Sequence, residues 1–305
     1  MQRSFLDYLI ITLKGIAMGA ADVVPGVSGG TIAFISGIYE ELITSINNIS
    51  LETLKILRKE GFKKAWEQIN GNFLIALFLG IAISVLSLAK LLEWLLEHHP
   101  ILLWSFFFGL VVASVIFVGK QITKWNIGTV AAFIIGAIVA YFITTLPPMH
   151  ETGGYLHLFF AGALAICAMI LPGISGAFIL VLLGAYGIIL GAINTRDLKT
   201  IAIVGVGAIF GLLSFSKLLK YLFDHYKNGT LAVLTGFILG SLNKIWPWKA
   251  ITEIKKFGDK TIIIDHSTSP FNYDGDPQLF LAIILAVIGF LTIFLLEKLA
   301  TVKEK

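Results

Sequence analysis

The sequence predicts an all-α membrane protein that crosses the bilayer several times and consists of two related halves. The chain has 305 residues, of which 57% are hydrophobic and only 14% are charged, and its mean hydropathy is +0.88. Soluble domains carry roughly 25% charged residues, whereas several segments here reach the ~20 apolar residues that span a bilayer. The net charge of +4 needs no nucleic-acid partner, because the basic residues cluster in short loops between apolar segments.

A Pro-Gly-x-Ser-Gly segment interrupts apolar sequence twice. It begins at Pro25 and again, 147 residues later, at Pro172. Proline lacks the amide hydrogen and glycine adds backbone entropy, so neither segment can be continuous helix. Within a membrane, broken backbone is tolerated only where it is buried in protein or lines a polar cavity. Two breaks at corresponding places indicate the binding site of a transporter.

The sequence relation between the two halves extends beyond these breaks. Residues 12–45 align with residues 159–192 at the offset of 147, and residues 87–98 align with residues 214–225 at an offset of 127. Paired lysines and histidines in the second alignment argue against chance similarity between apolar helices. We therefore expect the apolar N-terminus to remain in the mature chain, because a cleaved signal peptide would hardly be repeated in mid-chain.

Each half is predicted to contain a hairpin followed by three apolar spans. In residues 1–150 the hairpin covers 4–45 and the spans cover about 72–96, 101–119 and 127–146. In residues 151–305 the hairpin covers 156–193 and the spans cover about 200–223, 230–246 and 278–298, with a loop at 247–277. The run Thr261–Ile264 predicts a short strand within that loop.

The lengths of these segments also predict the topology. The hairpin arms are too short to cross a bilayer easily, so we expect each hairpin to be re-entrant, entering and leaving on one side. Three crossings separate the hairpins, and an odd number inverts the second half relative to the first. Most lysines and arginines then lie on the side that carries both termini, which the positive-inside rule makes cytoplasmic. The loop 247–277 is expected outside.

The hairpin tips carry the predicted binding residues. After each break a new helix begins near Ser28 or Ser175, with free backbone N–H groups at its positive end and glycines that admit a ligand closely. Such a turn suits a cluster of anionic oxygens; the alternative is a tip that only caps itself and packs. The predicted ligand residues are Ser28, Gly29, Gly30, Thr31, Ser175 and Gly176, and the predicted helix breakers are Pro25, Gly26, Pro172 and Gly173.

Four charged side chains are candidates for coupling or for headgroup binding. Asp22 lies at a depth where a carboxylate costs roughly 2.5–3.5 kcal/mol on insertion scales, so it either caps the turn or couples transport to an ion. Glu40 is the second coupling candidate, or else lies in the cytoplasmic interface. Lys90 and Lys217 occupy equivalent positions, and they either bind a phosphate or extend to the membrane surface.

Missing patterns disfavour several classes of protein. Cys167 is the single cysteine, which excludes an internal disulfide, and neither a cysteine-based nor a His/Asp/Glu metal site is indicated. The sequence lacks a Walker-type nucleotide loop. Its three arginines, Arg3, Arg58 and Arg196, lie outside the spans, whereas a membrane phosphatase would use arginine clamps. We therefore expect a protein that is not an enzyme and that binds no metal or cofactor.

The first motif closely resembles a bacterial and archaeal membrane family over essentially the whole chain. Its matching residues are Gly15, Gly19, Asp22, Pro25, Gly26, Val27, Ser28, Gly29, Gly30, Thr31 and the run Gly37-Ile38-Tyr39-Glu40, and Leu171–Gly176 is similar to the second signature. That family, long a domain of unknown function, is associated with polyprenyl-phosphate translocation of the PopT type. The resemblance implies an inner-membrane protein that returns undecaprenyl phosphate from the outer to the cytoplasmic leaflet, for reuse in envelope synthesis.

The hairpins fit such a substrate, because a lipid phosphate needs a polar pocket for its headgroup and a lateral opening for its tail. We expect a proton or sodium gradient to drive the movement. Two other classes stay open, a transporter of a small soluble anion and a membrane-embedded lipid-phosphate enzyme. A lateral gap lined by phenylalanine and leucine would favour the lipid carrier, and a sealed helix bundle would favour the soluble anion.

Overall fold

The computed structural model describes residues 3–24, 27–151, 153–257 and 260–301. The helices before residue 151 are α1 (Phe5–Val23), α2 (Gly29–Ile35), α3 (Tyr39–Asn47), α4 (Leu51–Glu60), α5 (Phe62–Gln68), α6 (Gly71–His98), α7 (Pro100–Lys120) and α8 (Ile127–Thr145). The later elements are α9 (Tyr155–Ile170), α10 (Gly176–Leu182), α11 (Tyr186–Thr195), α12 (Leu198–Ser241), β1 (Lys249–Phe257), β2 (Lys260–Ser267) and α13 (Leu279–Thr301).

Length and composition identify helices that could cross a membrane. The segments Gly71–Leu88, Pro100–Lys120, Ile127–Thr145 and Leu198–Ile245 are each long and apolar enough to span a bilayer. The pair α10 and α11 passes the same test together, although its axes are bent by 106°. The all-α, multi-pass membrane class predicted from the sequence is confirmed. Within α12, Tyr226 leaves helical geometry (φ −134°, ψ 42°), so this helix consists of two parts joined at a kink.

Both hairpins contain a second interruption that the sequence analysis did not predict. Beyond the Pro-Gly breaks, the returning arms divide again, between α2 and α3 and between α10 and α11. Gly37 (φ +73°) and Gly184 (φ +65°) lie at these turns. Both glycines adopt the left-handed conformation that side-chain-bearing residues avoid. Each returning arm is therefore two short helices rather than one.

Glycines set the distance between paired helices, and they do so at corresponding positions in the two halves. A Cβ at Gly15 of α1 would collide with the carbonyl oxygen of Leu77 in α6. A Cβ at Gly162 of α9 would likewise collide with the carbonyl oxygen of Val204 in α12. The two glycines are 147 residues apart and the two carbonyls 127 apart, so both helix pairs use matching residues.

The last helix of each half packs against the other half. A Cβ at Gly109 of α7 would collide with the carbonyl oxygen of Ala286 in α13, and one at Gly236 of α12 with that of Phe133 in α8. The packing of α8 on α12 and of α13 on α7 is extensive. This exchange of partners joins the two halves in one apolar core, which contains buried side chains from both.

Polar contacts bring several helix ends together on one face of the molecule, called the first face. The guanidinium of Arg3 and the side-chain amide of Asn70 each donate a hydrogen bond of 2.6 Å to the carboxylate of Glu41. The beginnings of α1, α3 and α6 therefore meet on this face. Lys227, just after the kink in α12, forms an ion pair with Glu40 at 2.7 Å. The kink of α12 therefore lies on the same face as the beginning of α6.

The opposite end of α6 lies on the second face. With 28 residues, α6 is about 42 Å long at the usual rise per residue, and α7 begins directly after it. The ammonium of Lys249 lies 3.9 Å from the ring centroid of Trp104, near the start of α7, which places β1 on this face. β1 and β2 form an antiparallel hairpin, and the strand predicted at Thr261–Ile264 is confirmed within β2.

Gly207 and Gly205 in α12 offer a test of the close helix packing. A Cβ at Gly207 would collide with the carbonyl oxygen of Phe159 in α9, whereas a Cβ at Gly205 would meet open space. We expect Gly207→Ala to lower the free energy of unfolding by about 1–3 kcal/mol. Gly205→Ala is the matched control, and it should leave stability unchanged or raise it because alanine favours helix. Thermal unfolding in detergent measures both, and equal midpoints would contradict this packing.

Candidate functional site

The two helix breaks contact each other in the interior of the protein. The hydroxyl of Ser28 donates a hydrogen bond to the carbonyl oxygen of Leu171 at 3.1 Å. In return, the backbone N–H of Gly173 donates to the hydroxyl of Thr31 at 2.9 Å. Ser28 and Thr31 are 0% and 1% exposed. The polar side chains of the first break thus bind the backbone of the second break.

Asp22 closes the first break from within its own hairpin. Its Oδ1 accepts a hydrogen bond from the backbone N–H of Gly29 at 2.7 Å. A Cβ at Gly29 would collide with this carboxylate, so glycine permits the contact. The N–H of Gly30 is also occupied, because it donates to the hydroxyl of Ser28 at 3.1 Å. In this arrangement the protein's own oxygens take up the N–H groups at the start of α2.

Glycines also allow the close approach of the two breaks. A Cβ at Gly30 would lie 2.6 Å from the carbonyl oxygen of Ile170, at the end of α9. A Cβ at Gly173, which has φ +90°, would lie 2.7 Å from the hydroxyl oxygen of Ser241 in α12. A larger side chain at Gly30 would push the two breaks apart, and one at Gly173 would push the second break away from α12. The structure therefore shows the tips closed on one another.

The structure places the remaining predicted residues as follows. Ser175 and Gly176 are buried at the start of α10, and Ser175 forms no side-chain cap there. Pro172 is buried, while Pro25 and Gly26 lie outside the described residues. Glu40 is exposed on the first face in its ion pair with Lys227. Lys90 and Lys217 are exposed on α6 and α12, and neither has a hydrogen bond or ion pair with a described residue.

One buried contact was missed by the sequence analysis. Lys14 lies half-buried in α1 and donates a hydrogen bond from Nζ to the carbonyl oxygen of Ser36 at 2.6 Å. It therefore binds the end of α2 at the second interruption of the first hairpin. A signal was present, because a lysine inside an apolar helix is expensive and the second half has Ala161 at the corresponding position.

Comparison with known proteins identifies the family of the chain. The family model described as VCA0040-like, undecaprenyl phosphate translocase-like, matches residues 18–261, a range that includes both helix breaks. The chain belongs to this family. The membership expected from the first motif is thereby confirmed.

Named relatives share most of the chain. A "Polyprenyl-phosphate transporter" of Vibrio cholerae serotype O1 is 47% identical over 306 residues, which cover 98% of this chain and 99% of the relative. A "Polyprenyl-phosphate transporter" of Staphylococcus aureus is 30% identical over 253 residues, covering 77% of this chain and 85% of the relative. No solved structure matches the chain.

The contact between the two breaks can be tested at Thr31. Thr31→Val keeps the shape of the side chain but removes the acceptor for the N–H of Gly173, and we expect the free energy of unfolding to fall by about 1–3 kcal/mol. Thr31→Ser retains the hydroxyl and should cost less. Thermal unfolding of the three proteins in one detergent provides the comparison. A valine variant as stable as the parent, with a serine variant that is less stable, would contradict this role of the hydroxyl.

Proposed function

We propose that this protein carries a polyprenyl phosphate, with undecaprenyl phosphate as the substrate, from the outer to the cytoplasmic leaflet of the inner membrane. The observation that carries the proposal is the contact of two broken helices inside a membrane protein whose relatives are named polyprenyl-phosphate transporters. Broken helices of this kind form the binding sites of many transporters. In this proposal the protein is not an enzyme.

The proposed architecture is an inverted repeat of residues 1–150 and 151–305. Matching glycines pair α1 with α6 and α9 with α12, which supports a repeat. α6 begins on the first face, whereas the corresponding part of α12 ends there, at its kink, which supports inversion. The ion pair between Arg3 and Glu41 brings both ends of the first hairpin to the first face, which supports a re-entrant hairpin. By the positive-inside rule this face is cytoplasmic.

The proposed headgroup site lies between the two breaks and comprises Ser28, Gly29, Gly30, Thr31, Ser175 and Gly176. Separation of the tips would release two donors that now bind across the contact, the Ser28 hydroxyl and the N–H of Gly173, and displacement of Asp22 would release the N–H of Gly29. A phosphate oxygen accepts such bonds strongly because it is charged. Phosphate binding would therefore compensate for the contacts that are lost when the hairpins part.

The proposed coupling group is Asp22, with Glu40 as a second one. The carboxylate of Asp22 now holds the N–H of Gly29, so it competes with an anionic headgroup for the same donor. Uptake of a proton, or binding of a sodium ion, would neutralise the carboxylate and favour the phosphate. Glu40 ties the first hairpin to α12 through Lys227, and its neutralisation would loosen that attachment on the first face.

An apolar groove supports a lipid rather than a small soluble anion as the substrate. It lies between α5 and α6, has a volume of about 410 Å³, and is lined by Trp66, Ile69, Gly71, Leu74, Ile75, Phe78, Leu79 and Ala82. A lipid tail needs such a surface, whereas a soluble anion does not. The substrate's isoprenoid chain would lie along α6 in this groove while the headgroup moves through the protein.

Leaflet exchange in liposomes tests the proposed substrate. Purified protein should accelerate the exchange of labelled undecaprenyl phosphate between leaflets, and an imposed pH gradient should increase the net flux. Absence of exchange would overturn the proposal. Release of free phosphate from the lipid would indicate an enzyme instead, and movement of inorganic phosphate without lipid would indicate a transporter of soluble anions.

Asp22→Asn tests the coupling. Asparagine carries no charge and mimics the neutralised carboxylate at every pH, so exchange should lose its dependence on the pH gradient. Because competition for the N–H of Gly29 is weakened, the rate without a gradient should not fall below that of the parent. Asp274→Asn changes an exposed carboxylate in the loop after β2 and is the control that should behave like the parent. An Asp22→Asn protein with unchanged rate and unchanged response to pH would exclude Asp22 as the coupling group.

A further inference from the structure

α6 and α12 carry the same surface motif at corresponding positions. The motif is a lysine, an aromatic residue four positions later and a histidine four positions after that: Lys90, Trp94 and His98 in α6, and Lys217, Tyr221 and His225 in α12. A spacing of four residues keeps side chains on one side of a helix. All six side chains are exposed. The histidines and the aromatic residues of the two motifs take no part in the site between the helix breaks.

The two motifs also have the same geometry. Nδ1 of His98 lies 2.9 Å from the carbonyl oxygen of Trp94, and Nδ1 of His225 lies 2.9 Å from that of Tyr221. Each histidine stacks on its aromatic partner, with ring centroids 4.7 Å and 4.3 Å apart. Because a carbonyl oxygen only accepts, Nδ1 carries the proton in both, and Nε2 remains for a ligand. When protonated, the imidazole donates from Nε2 to an anion.

The helices end at the same place after each motif. His99 has φ −137° and ψ 47°, and the corresponding residue Tyr226 has φ −134° and ψ 42°. α6 ends on the second face, and the kink of α12 lies on the first face. One motif is therefore located near each surface of the membrane.

Neither lysine is paired with another described residue. Each precedes its histidine by eight residues, about 12 Å along the helix, so the motif runs from the end of the helix towards the middle of the membrane. Lys90 lies two residues beyond the apolar segment Gly71–Leu88, from where its long side chain reaches the headgroup region. Because Lys90 and Lys217 have no hydrogen bond or ion pair with a described residue, an anion from the surrounding lipid can pair with them.

Apolar side chains continue both motifs towards the middle of the membrane. Leu79 and Ile83 precede Lys90 by eleven and seven residues, and Val206 and Phe210 precede Lys217 by the same intervals. These four side chains are 53%, 42%, 59% and 55% exposed, respectively. The spacing keeps them on the same side of the helix as the lysine. The headgroup of an anionic lipid fits beside the lysine, and its long apolar tail fits along the exposed apolar side chains.

We propose that these motifs are two docking sites, one in each leaflet, for the phosphate headgroup of an isoprenoid lipid. The ammonium of Lys90 or Lys217 and the Nε2–H of protonated His98 or His225 donate to phosphate oxygens, and the tail lies along the apolar strip. The lipid occupies one site before it reaches the helix breaks and the other after it leaves them. This inference rests on the proposed function and adds the residues where the substrate is collected and released.

The two docking sites differ in charge. Next to Lys217, Lys220 and Asp224 neutralise each other in an ion pair at 3.0 Å. Next to Lys90, the corresponding residues are Glu93 and Glu97, both exposed, and neither forms an ion pair with a described residue. The site on the second face therefore holds a phosphate more weakly than the site on the first face. Because phosphate binds more strongly at the site on the first face than at the site on the second face, movement of the lipid towards the first face is favoured.

Photolabelling tests this inference on the full-length protein in nanodiscs. The probe is undecaprenyl phosphate with a photoreactive group in its first isoprene unit, and mass spectrometry of peptides locates the label. We expect label in segments 87–98 and 214–225. Lys217→Gln with His225→Ala should reduce label in the second segment about tenfold and spare the first, and Lys90→Gln with His98→Ala should do the reverse.

Control measurements separate docking from general effects. Lys220→Gln with Asp224→Asn removes a neighbouring ion pair from the same helix without changing the net charge, and it should leave both labels unchanged. A photoreactive undecaprenol without phosphate should label neither segment strongly. If the parent protein exchanges undecaprenyl phosphate but labels neither segment, or labels them equally in all variants, the docking sites are excluded. If the parent exchanges no lipid, the proposed function itself fails.

Discussion

A helix that stops inside a membrane leaves backbone N–H and C=O groups that water cannot reach, and these groups need partners within the protein. In this chain the two broken helices supply partners to each other. The carbonyl of Leu171 accepts from Ser28, and the N–H of Gly173 donates to Thr31. Gly30 allows this contact, because a Cβ there would collide with the carbonyl oxygen of Ile170 in the second hairpin.

The same contact explains why the proposed site is closed. The Ser28 hydroxyl and the N–H groups of Gly29, Gly30 and Gly173 are bound within the protein, so an incoming anion must replace the oxygens that hold them. Asp22 contributes a carboxylate to those oxygens. In the proposed mechanism an anion binds when that carboxylate is neutralised or displaced, which would link ligand, ion and conformation in one equilibrium.

The sequence was sufficient for the features that repeat or that hydropathy determines. It predicted several long apolar helices, the two breaks, the strand at Thr261–Ile264 and the family. It did not reveal the second interruptions at Gly37 and Gly184, because a single glycine in an apolar run predicts a turn only weakly. Nor did it indicate that Lys14 binds the end of α2, since that contact joins residues 22 positions apart and depends on how the hairpin folds back.

The packing of helices from one half against helices of the other half has a consequence for the synthesis of the protein. α7 packs on α13, and α8 packs on α12, so the first half cannot complete its packing from its own residues. The surface of α7 around Gly109 contacts α13, which is synthesised long after α7. A chain that terminates before residue 279 therefore leaves this surface of α7 without its helical partner.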